Sequence, residues 1–301
     1  MQPPIPTRAA KAAPKISGAA LGAVILATAI WGYSNVVIRQ SEFTIPPSLI
    51  LWIRFALAAV ILLPVSIGRG LTAKNIGAAL GIGAAIGFGV LLQAWGMQSV
   101  SVDQVAFITA LYVIFTPISI GILRRQAPAW PIWPAATLSL FGLWMLQGGM
   151  GFHLALGSWL SLGAAIGFTG QIIGTAMLSR KMPAMSLAGL QSLGAALILT
   201  PFILMHPTEE VGALLKGGFF LWGHLLFLAI AGAVIAFWLQ VWGQARISPT
   251  QAALAFNIEP AWTALFAWLA INQTLTSLGI AGALIVLLSL GWISQVSEDE
   301  Q

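Results

Sequence analysis

The sequence predicts an all-α integral membrane protein: ten transmembrane helices arranged as two inverted five-helix repeats, with both termini cytoplasmic. Three observations carry that expectation. Of 301 residues, 58% are hydrophobic and 7% charged, whereas a soluble domain carries about 25% charged residues; such a chain cannot cover itself with a solvated surface. The apolar residues fall in long continuous runs without the period-two alternation of a barrel, so helices are expected. The chain also repeats itself at about half its length, the mark of a protein built from similar units. Gln93, Trp95 and Gly96 recur as Gln240, Trp242 and Gly243, and Ser101, Gln104 and Ala106 recur as Ser248, Gln251 and Ala253, all at one offset of 147 residues.

Taken in order, residues 1–18 form a Pro- and Ala-rich cytoplasmic tail with Arg8, Lys11 and Lys15. The apolar run that follows is too long for a signal peptide and lacks a cleavage site. A spanning helix needs about 20 mainly apolar residues. Ten candidates are found, at 19–38, 47–67, 76–97, 105–123, 130–149, 157–178, 185–205, 221–244, 252–271 and 277–295. Residues 19–149 make the first repeat, 157–295 the second, and 296–301 an acidic cytoplasmic tail with Glu298, Asp299 and Glu300.

Lysine and arginine set the orientation, because they gather on the cytoplasmic side of short loops. With the N-terminus inside, the cytoplasmic segments hold ten of them: Arg8, Lys11, Lys15, Arg69, Lys74, Arg124, Arg125, Arg180, Lys181 and Arg246. Only Arg39 and Lys216 fall outside, together with the acidic pair Glu209 and Glu210, and Arg54 lies within a span. This bias accounts for the net charge of +5 without a nucleic-acid partner.

The repeat extends further. Ala58–Pro64 matches Ala195–Pro201, and Trp31-Gly32 aligns with Phe168-Thr169. Five spans per half is an odd number, so the second half enters the membrane from the opposite face. Inverted repeats are the usual build of secondary transporters, with the substrate site near the midplane between the halves. A duplication that only stabilises a bundle is the alternative.

At this point the sequence resembles the drug/metabolite transporter superfamily, in its EamA-like branch. The resemblance rests on Trp31-Gly32 with Asn35 and Arg39, on Arg54, on Ala106–Pro117, and above all on Ser248–Leu254 running to Ile258-Glu259-Pro260-Ala261-Trp262. It covers about residues 19–295. It implies small-metabolite export or exchange, amino acids included, with spans one to four and six to nine around a central cavity and spans five and ten outside. One departure stands out. The family often places a Gly-Glu pair after the fourth and ninth spans, where this chain reads Leu123-Arg124-Arg125-Gln126 and Ile271-Asn272-Gln273-Thr274.

Among single residues, Glu259 is the sharpest. It lies about 10 Å into the ninth span at a rise of about 1.5 Å per residue, where a carboxylate is costly and often marks a pathway. Pro260 follows it and removes the helical partner of the Phe256 carbonyl. Glu259 either faces a cavity, where proton exchange through it is one route to coupling, or fixes a kink at a packing seam. Arg54, about 12 Å deep by the same rise, either holds a substrate carboxylate, pairs with an acid in the cavity, or snorkels outward beside Glu42. Other polar and aromatic groups at midplane heights complete the candidate cavity: Trp31, Tyr33 and Asn35; Gln93 and Trp95; Thr109 and Tyr112; Thr169 and Gln171; Trp238 and Gln240; Asn257 and Trp262. Lipid cannot satisfy such groups, though amides can also simply cross-link helices. Indoles and amides together suit a small amphipathic solute, and aromatic amino acids fit well. Trp130, Trp133, Trp159, Trp222 and Trp292 belong by position to the interfacial belt.

Gly77-x-x-x-Gly81 and Gly83-x-x-x-Gly87 predict close packing of the third span, and Pro64, Pro117, Pro201 and Pro260 are candidate hinges. Other classes find little support. The chain holds no HExxH helix, no phosphate-binding Gly-x-x-x-x-Gly-Lys loop and no repeated charged ring of a channel. His153, His206 and His224 fall at the outer side, and cysteine is missing, so neither cofactor nor metal is expected. The expected protein is a multi-pass exporter of the bacterial inner membrane, a monomer or homodimer. Its partners are the lipid bilayer and a small-molecule substrate, amino acids first, with nucleosides, drugs and polyamines open.

Overall fold

Long apolar runs interrupted by proline, glycine and polar turns give a chain of helices. In the computed structural model the described residues are 18–41, 45–66, 68, 70–149, 155–205, 212, 214, 216–274 and 276–294; for Arg39, Asp103, Ile293 and Ser294 only the backbone is described. Both tails, Glu42, Arg69, His153, His206, Glu209 and Glu210 therefore lie outside the described residues. The elements are α1 (Gly18–Ser41), α2 (Pro47–Leu62), α3 (Ala73–Gly96), α4 (Val102–Thr109), α5 (Tyr112–Arg124), α6 (Ile132–Leu146), α7 (Leu156–Leu178) and α8 (Ala184–Leu204). They continue with α9 (Phe219–Ala229), a π-helical turn (Ile230–Ile235), α10 (Ala236–Gln244), α11 (Pro249–Phe256), α12 (Glu259–Ile271) and α13 (Ser277–Ser294). No strand occurs among the described residues.

Seven stretches are long and apolar enough to cross a bilayer, counting α4–α5, α9–α10 with its π turn, and α11–α12 as single spans. Three shorter apolar helices, α2, α6 and α13, stand beside them. They follow one another in the order the sequence predicts. Two ends come early for local reasons. The second span stops at Leu62, not at residue 67: Leu63 still has helical dihedrals and donates to the Ala59 carbonyl, but Pro64 has no N–H with which to continue the ladder. The fifth stops at Leu146 because Gly148 (φ 83°) and Gly149 (φ 69°) turn the chain away.

The fourth and ninth spans are each broken in two, and the breaks coincide at the repeat offset. Val102–Thr109 and Tyr112–Arg124 match Pro249–Phe256 and Glu259–Ile271 boundary for boundary. Each first half-helix opens on a serine, Ser101 or Ser248, whose hydroxyl accepts from the backbone N–H of Gln104 or Gln251, both at 3.2 Å. Each second half-helix closes on a residue in the left-handed region, Arg125 (φ 56°) and Asn272 (φ 53°). These are the places where the resemblance leads one to expect glycine, the residue that takes this conformation without strain.

Packing follows the same exchange of halves. The third span lies on α7 and α8, as the eighth lies on α1 and α2; the fourth lies on α7, as the ninth lies on α1. The self-related pairs α2–α8 and α6–α13 pack on each other. Glycine makes these crossings possible. A Cβ on Gly83 would run into the Gln191 carbonyl, one on Gly194 into the Leu80 carbonyl, and one on Gly87 would lie 2.8 Å from the Ala195 carbonyl. Gly142 and Gly282 face each other's carbonyls in the same way across α6 and α13. Gly77 and Gly81, expected to share the packing role, have nothing within 4 Å; only the second glycine pair of α3 meets a neighbour. Of the proline positions, Pro117 and Pro201 lie inside α5 and α8, Pro260 in the first turn of α12, and Pro64 in the turn after α2.

Candidate functional site

The broken spans matter because each presents the start of a half-helix in mid-fold. Tyr112 and Glu259 are the first residues of α5 and α12, repeat-related, and both line one cavity of about 290 Å³. From the face that carries the α1–α2 and α3–α4 connections, its walls run inward from Ile38, Pro47 and Met97 to Ile172 and Gln240. An aromatic cluster forms the floor. Trp31 meets Phe237 and Phe256 edge to face, with ring centroids 5.6 and 5.7 Å apart, and Phe55 meets Phe237 at 5.9 Å.

Arg54 and Glu259 are the charged side chains of the lining. Asn35 Nδ2 donates to Glu259 Oε1 at 2.9 Å and to Thr263 Oγ1 at 3.2 Å. The carboxylate also sits in the first turn of α12, at the positive end of the helix dipole. Glu259 thus belongs to both places the sequence left open, the cavity wall and the α1–α12 seam. That seam is tight: a Cβ on Gly32 would lie 2.6 Å from Trp262 Cβ and 2.9 Å from the Thr263 nitrogen, which gives the Trp-Gly pair of the first span a structural reason.

Arg54 is 8% exposed. Its Nη2 donates to the Gly232 carbonyl at 2.6 Å, and Trp31 Nε1 donates to the same oxygen at 2.9 Å. Gly232 lies in the π-helical turn, a widened turn of the kind common at functional sites. The equivalent stretch of α3 is regular α-helix. Nε of Arg54 is buried with no acceptor. No ion pair joins Arg54 to Glu259.

Beside this cluster, at the inner end of the cavity, amides tie three spans together. Gln240 Nε2 donates to Gln244 Oε1 at 2.9 Å, and Gln244 Nε2 to the Ile172 carbonyl at 3.2 Å. Gln171 and Gln191 both donate to Thr175 Oγ1, at 3.2 and 2.7 Å. Oε1 of Gln191 and Oε1 of Gln240 are buried there without partners. On the other side of the cavity, Gln93 Nε2 donates to Thr109 Oγ1 at 3.3 Å.

Of the residues expected from sequence, Trp31, Asn35, Arg54, Gln93, Thr109, Tyr112, Gln171, Gln240 and Glu259 come together on this lining. Six do not. Tyr33 lies on the outer seam, edge to face with Phe227 and Phe266 at 5.2 and 5.5 Å. Trp262 stacks on Phe266 in the same seam. Trp95 packs on Phe202 at 5.3 Å, Thr169 hydrogen-bonds within its own helix to the Ala165 carbonyl, and Trp238 is 39% exposed on the outer surface. Asn257, fully buried, donates to Ser139 Oγ at 3.0 Å and ties the ninth span to α6. Depth in a span places a residue at the midplane; it does not say which way the residue faces. Sequence reasoning also missed Phe55, Phe168, Phe237 and Phe256 as walls, although the Trp31–Phe168 alignment had pointed to one of them. Nothing in the sequence signals the π turn.

Both halves of the chain, residues 18–147 and 155–295, match the EamA-like transporter family. The chain belongs to that family. It is a multi-pass membrane transporter of small solutes, with the two-repeat architecture of the EamA-like proteins. It is 26% identical over 271 residues to an uncharacterized transporter of Archaeoglobus fulgidus, an alignment covering 90% of this chain and 83% of the archaeal protein. A protein of known crystal structure superposes with a TM-score of 0.73 at 17% identity, covering 92% of this chain and 98% of the other, and so shares the fold.

Proposed function

We propose that this EamA-like protein is a secondary transporter that exports small amphipathic metabolites, amino acids first among them, across the bacterial inner membrane by alternating access. One observation carries the reading. The cavity forms where the two broken spans meet, reaches one face through Ile38, Pro47 and Met97, and ends toward the other on the cluster of Trp31, Phe55, Phe237 and Phe256. With the basic turns on the cytoplasmic side, the open face is the outer one. Exchange of the two inverted halves then supplies the opposite state, closed outside and open inside. Aromatic walls with amides, one guanidinium and one carboxylate suit a solute with an apolar body and polar ends.

The test is flux in proteoliposomes containing this protein alone. Radiolabelled phenylalanine should exchange saturably, without nucleotide, and be competed by other apolar amino acids. A panel of nucleosides and polyamines tests the neighbouring solute classes. Protein-dependent exchange of those classes without any of amino acids would overturn the substrate reading, and no protein-dependent flux of any of them would overturn transport of amphipathic solutes.

A further inference from the structure

We propose that Arg54 and Glu259 together read a zwitterion: Arg54 binds the substrate carboxylate, Glu259 receives its ammonium group, and the Gly232 carbonyl holds the guanidinium between substrates. The proposal rests on the transport reading above and names the groups that select within it.

The argument begins with an imbalance. A guanidinium carries five N–H donors and cannot shed its charge. At 8% exposure, Arg54 donates to one neutral carbonyl, Gly232 O, lies 5.5 Å from the Phe55 ring centroid, and leaves Nε buried without an acceptor. A buried cation so poorly matched is expensive unless an anion joins it. The lining carboxylate, Glu259, does not do so; it is occupied by Asn35. A ligand carboxylate fits instead, because it accepts from a guanidinium through two parallel hydrogen bonds.

Charge balance chooses among anions. The lining carries one cation and one anion, so a solute of net charge zero with separated ends leaves both groups paired. A dianionic phosphate ester would face Glu259 unpaired, and a polycation would face Arg54. Trp31, Phe55, Phe168, Phe237 and Phe256 of the same lining offer apolar surface for the side chain.

Gly232 gives the pair a resting partner and a link to conformation. Its carbonyl takes donors from α1 through Trp31 and from α2 through Arg54. The turn is tight: a Cβ there would lie 2.8 Å from Ser34 Oγ, so that hydroxyl would have to shift for any larger residue. A substrate carboxylate that takes the guanidinium withdraws one of the two donors that hold the π turn against the first half.

The experiment uses the full chain in proteoliposomes with three probes: phenylalanine, its C-terminal amide, which lacks the carboxylate, and N-acetylphenylalanine, which lacks the ammonium. Wild-type protein should exchange phenylalanine with an apparent affinity about 10–100-fold higher than for either analogue, the range for a hydrogen bond to a charged partner. Arg54→Gln should lose discrimination against the amide and keep it against the N-acetyl compound; Glu259→Gln should do the reverse. Arg54→Lys should retain part of the preference, since it keeps the charge and loses the fork. Equal loss for all three probes in Arg54→Gln would assign Arg54 to structure and overturn the proposal. So would a wild type that takes the amide as well as the amino acid, a comparison that needs no folded variant. No phenylalanine exchange by the wild type would refute the amino-acid reading itself, and this assignment with it.

Discussion

On the alternating-access proposal, opening the inner end of the cavity separates the spans that the amides tie together there, and Gln244→Leu removes the link between them. Gln244 accepts from Gln240 at 2.9 Å and donates to the Ile172 carbonyl at 3.2 Å. The Gln240–Gln244 bond lies within one helix and survives opening, so the loss specific to the closed state is the interhelical bond to Ile172, worth about 0.6 kcal/mol. At about 1.4 kcal/mol per tenfold, the minor inside-open state should rise about threefold. The chain holds no cysteine, so one reporter suffices. Ala188→Cys is suited to this. Ala188 is fully buried, and its counterpart in the first half, Leu51, lines the cavity. The rate of its modification by a membrane-impermeant thiol reagent, applied from the cytoplasmic side of inverted vesicles, should rise about threefold with Gln244→Leu. Unchanged reactivity, with the same reporter made reactive by chemical unfolding, would refute the amide chain as the lock.

Three further outcomes follow from particular contacts. Gly83→Ala should lower thermal stability in detergent by about 1–3 kcal/mol, the usual range for overpacking, because its Cβ meets the backbone of Gln191, while Gly77→Ala, with open space around it, should cost nothing measurable. Equal effects would mean that the α3–α8 crossing does not depend on glycine. Arg125→Gly should stabilise by about 1 kcal/mol, since it relieves a left-handed non-glycine residue at φ 56°; chemical denaturation in mixed micelles reads the difference, and a loss of stability contradicts the strain argument. Trp238→Ala should leave the half-saturating substrate concentration unchanged because Trp238 faces outward, whereas Phe237→Ala, one position away on the cavity floor, should raise it several-fold in a flux titration.

The architecture was legible because bilayer thickness and backbone satisfaction allow few alternatives. Run lengths gave the spans, and the repeat gave their pairing. Of the two helix breaks only the one beside Glu259-Pro260 was marked by the sequence; the matching break after Thr109 was not, and the capping serines Ser101 and Ser248 mark where each span starts. The site was only half legible. Depth is a one-dimensional quantity, while cavity lining depends on rotation about the helix axis. Trp238 and Gln240 lie two residues apart, on different faces, and only Gln240 reaches the cavity. Asn257 and Glu259 differ in the same way, one turned to Ser139 and the other to Asn35. Rotation is set by contacts between spans distant in sequence, such as Gly32 under Trp262, and the sequence of one helix does not contain it. The π turn was hidden for a related reason: no proline or polar residue marks Ile230–Ile235.

The two halves kept their packing and diverged in their charges, and the divergence has a direction. Glu259 occupies the place that Tyr112 holds in the first half, and Arg54 the place that Gln191 holds in the second. Each half therefore contributes one charge to the cavity and a neutral, polar counterpart to the other. Inverted symmetry gives a transporter two equivalent gates, but a substrate with distinct ends needs a site that is not symmetric. Placing the cation on the second span and the anion at the break of the ninth resolves this. Both line the same cavity, so on the alternating-access proposal the pair can face it whichever side is open. Exchanging Arg54 with its repeat counterpart, as Arg54→Gln with Gln191→Arg, keeps the net charge while moving the cation to the other half. That double variant should insert and fold yet lose amino-acid exchange; full activity would show that the position of the charge within the cavity is immaterial.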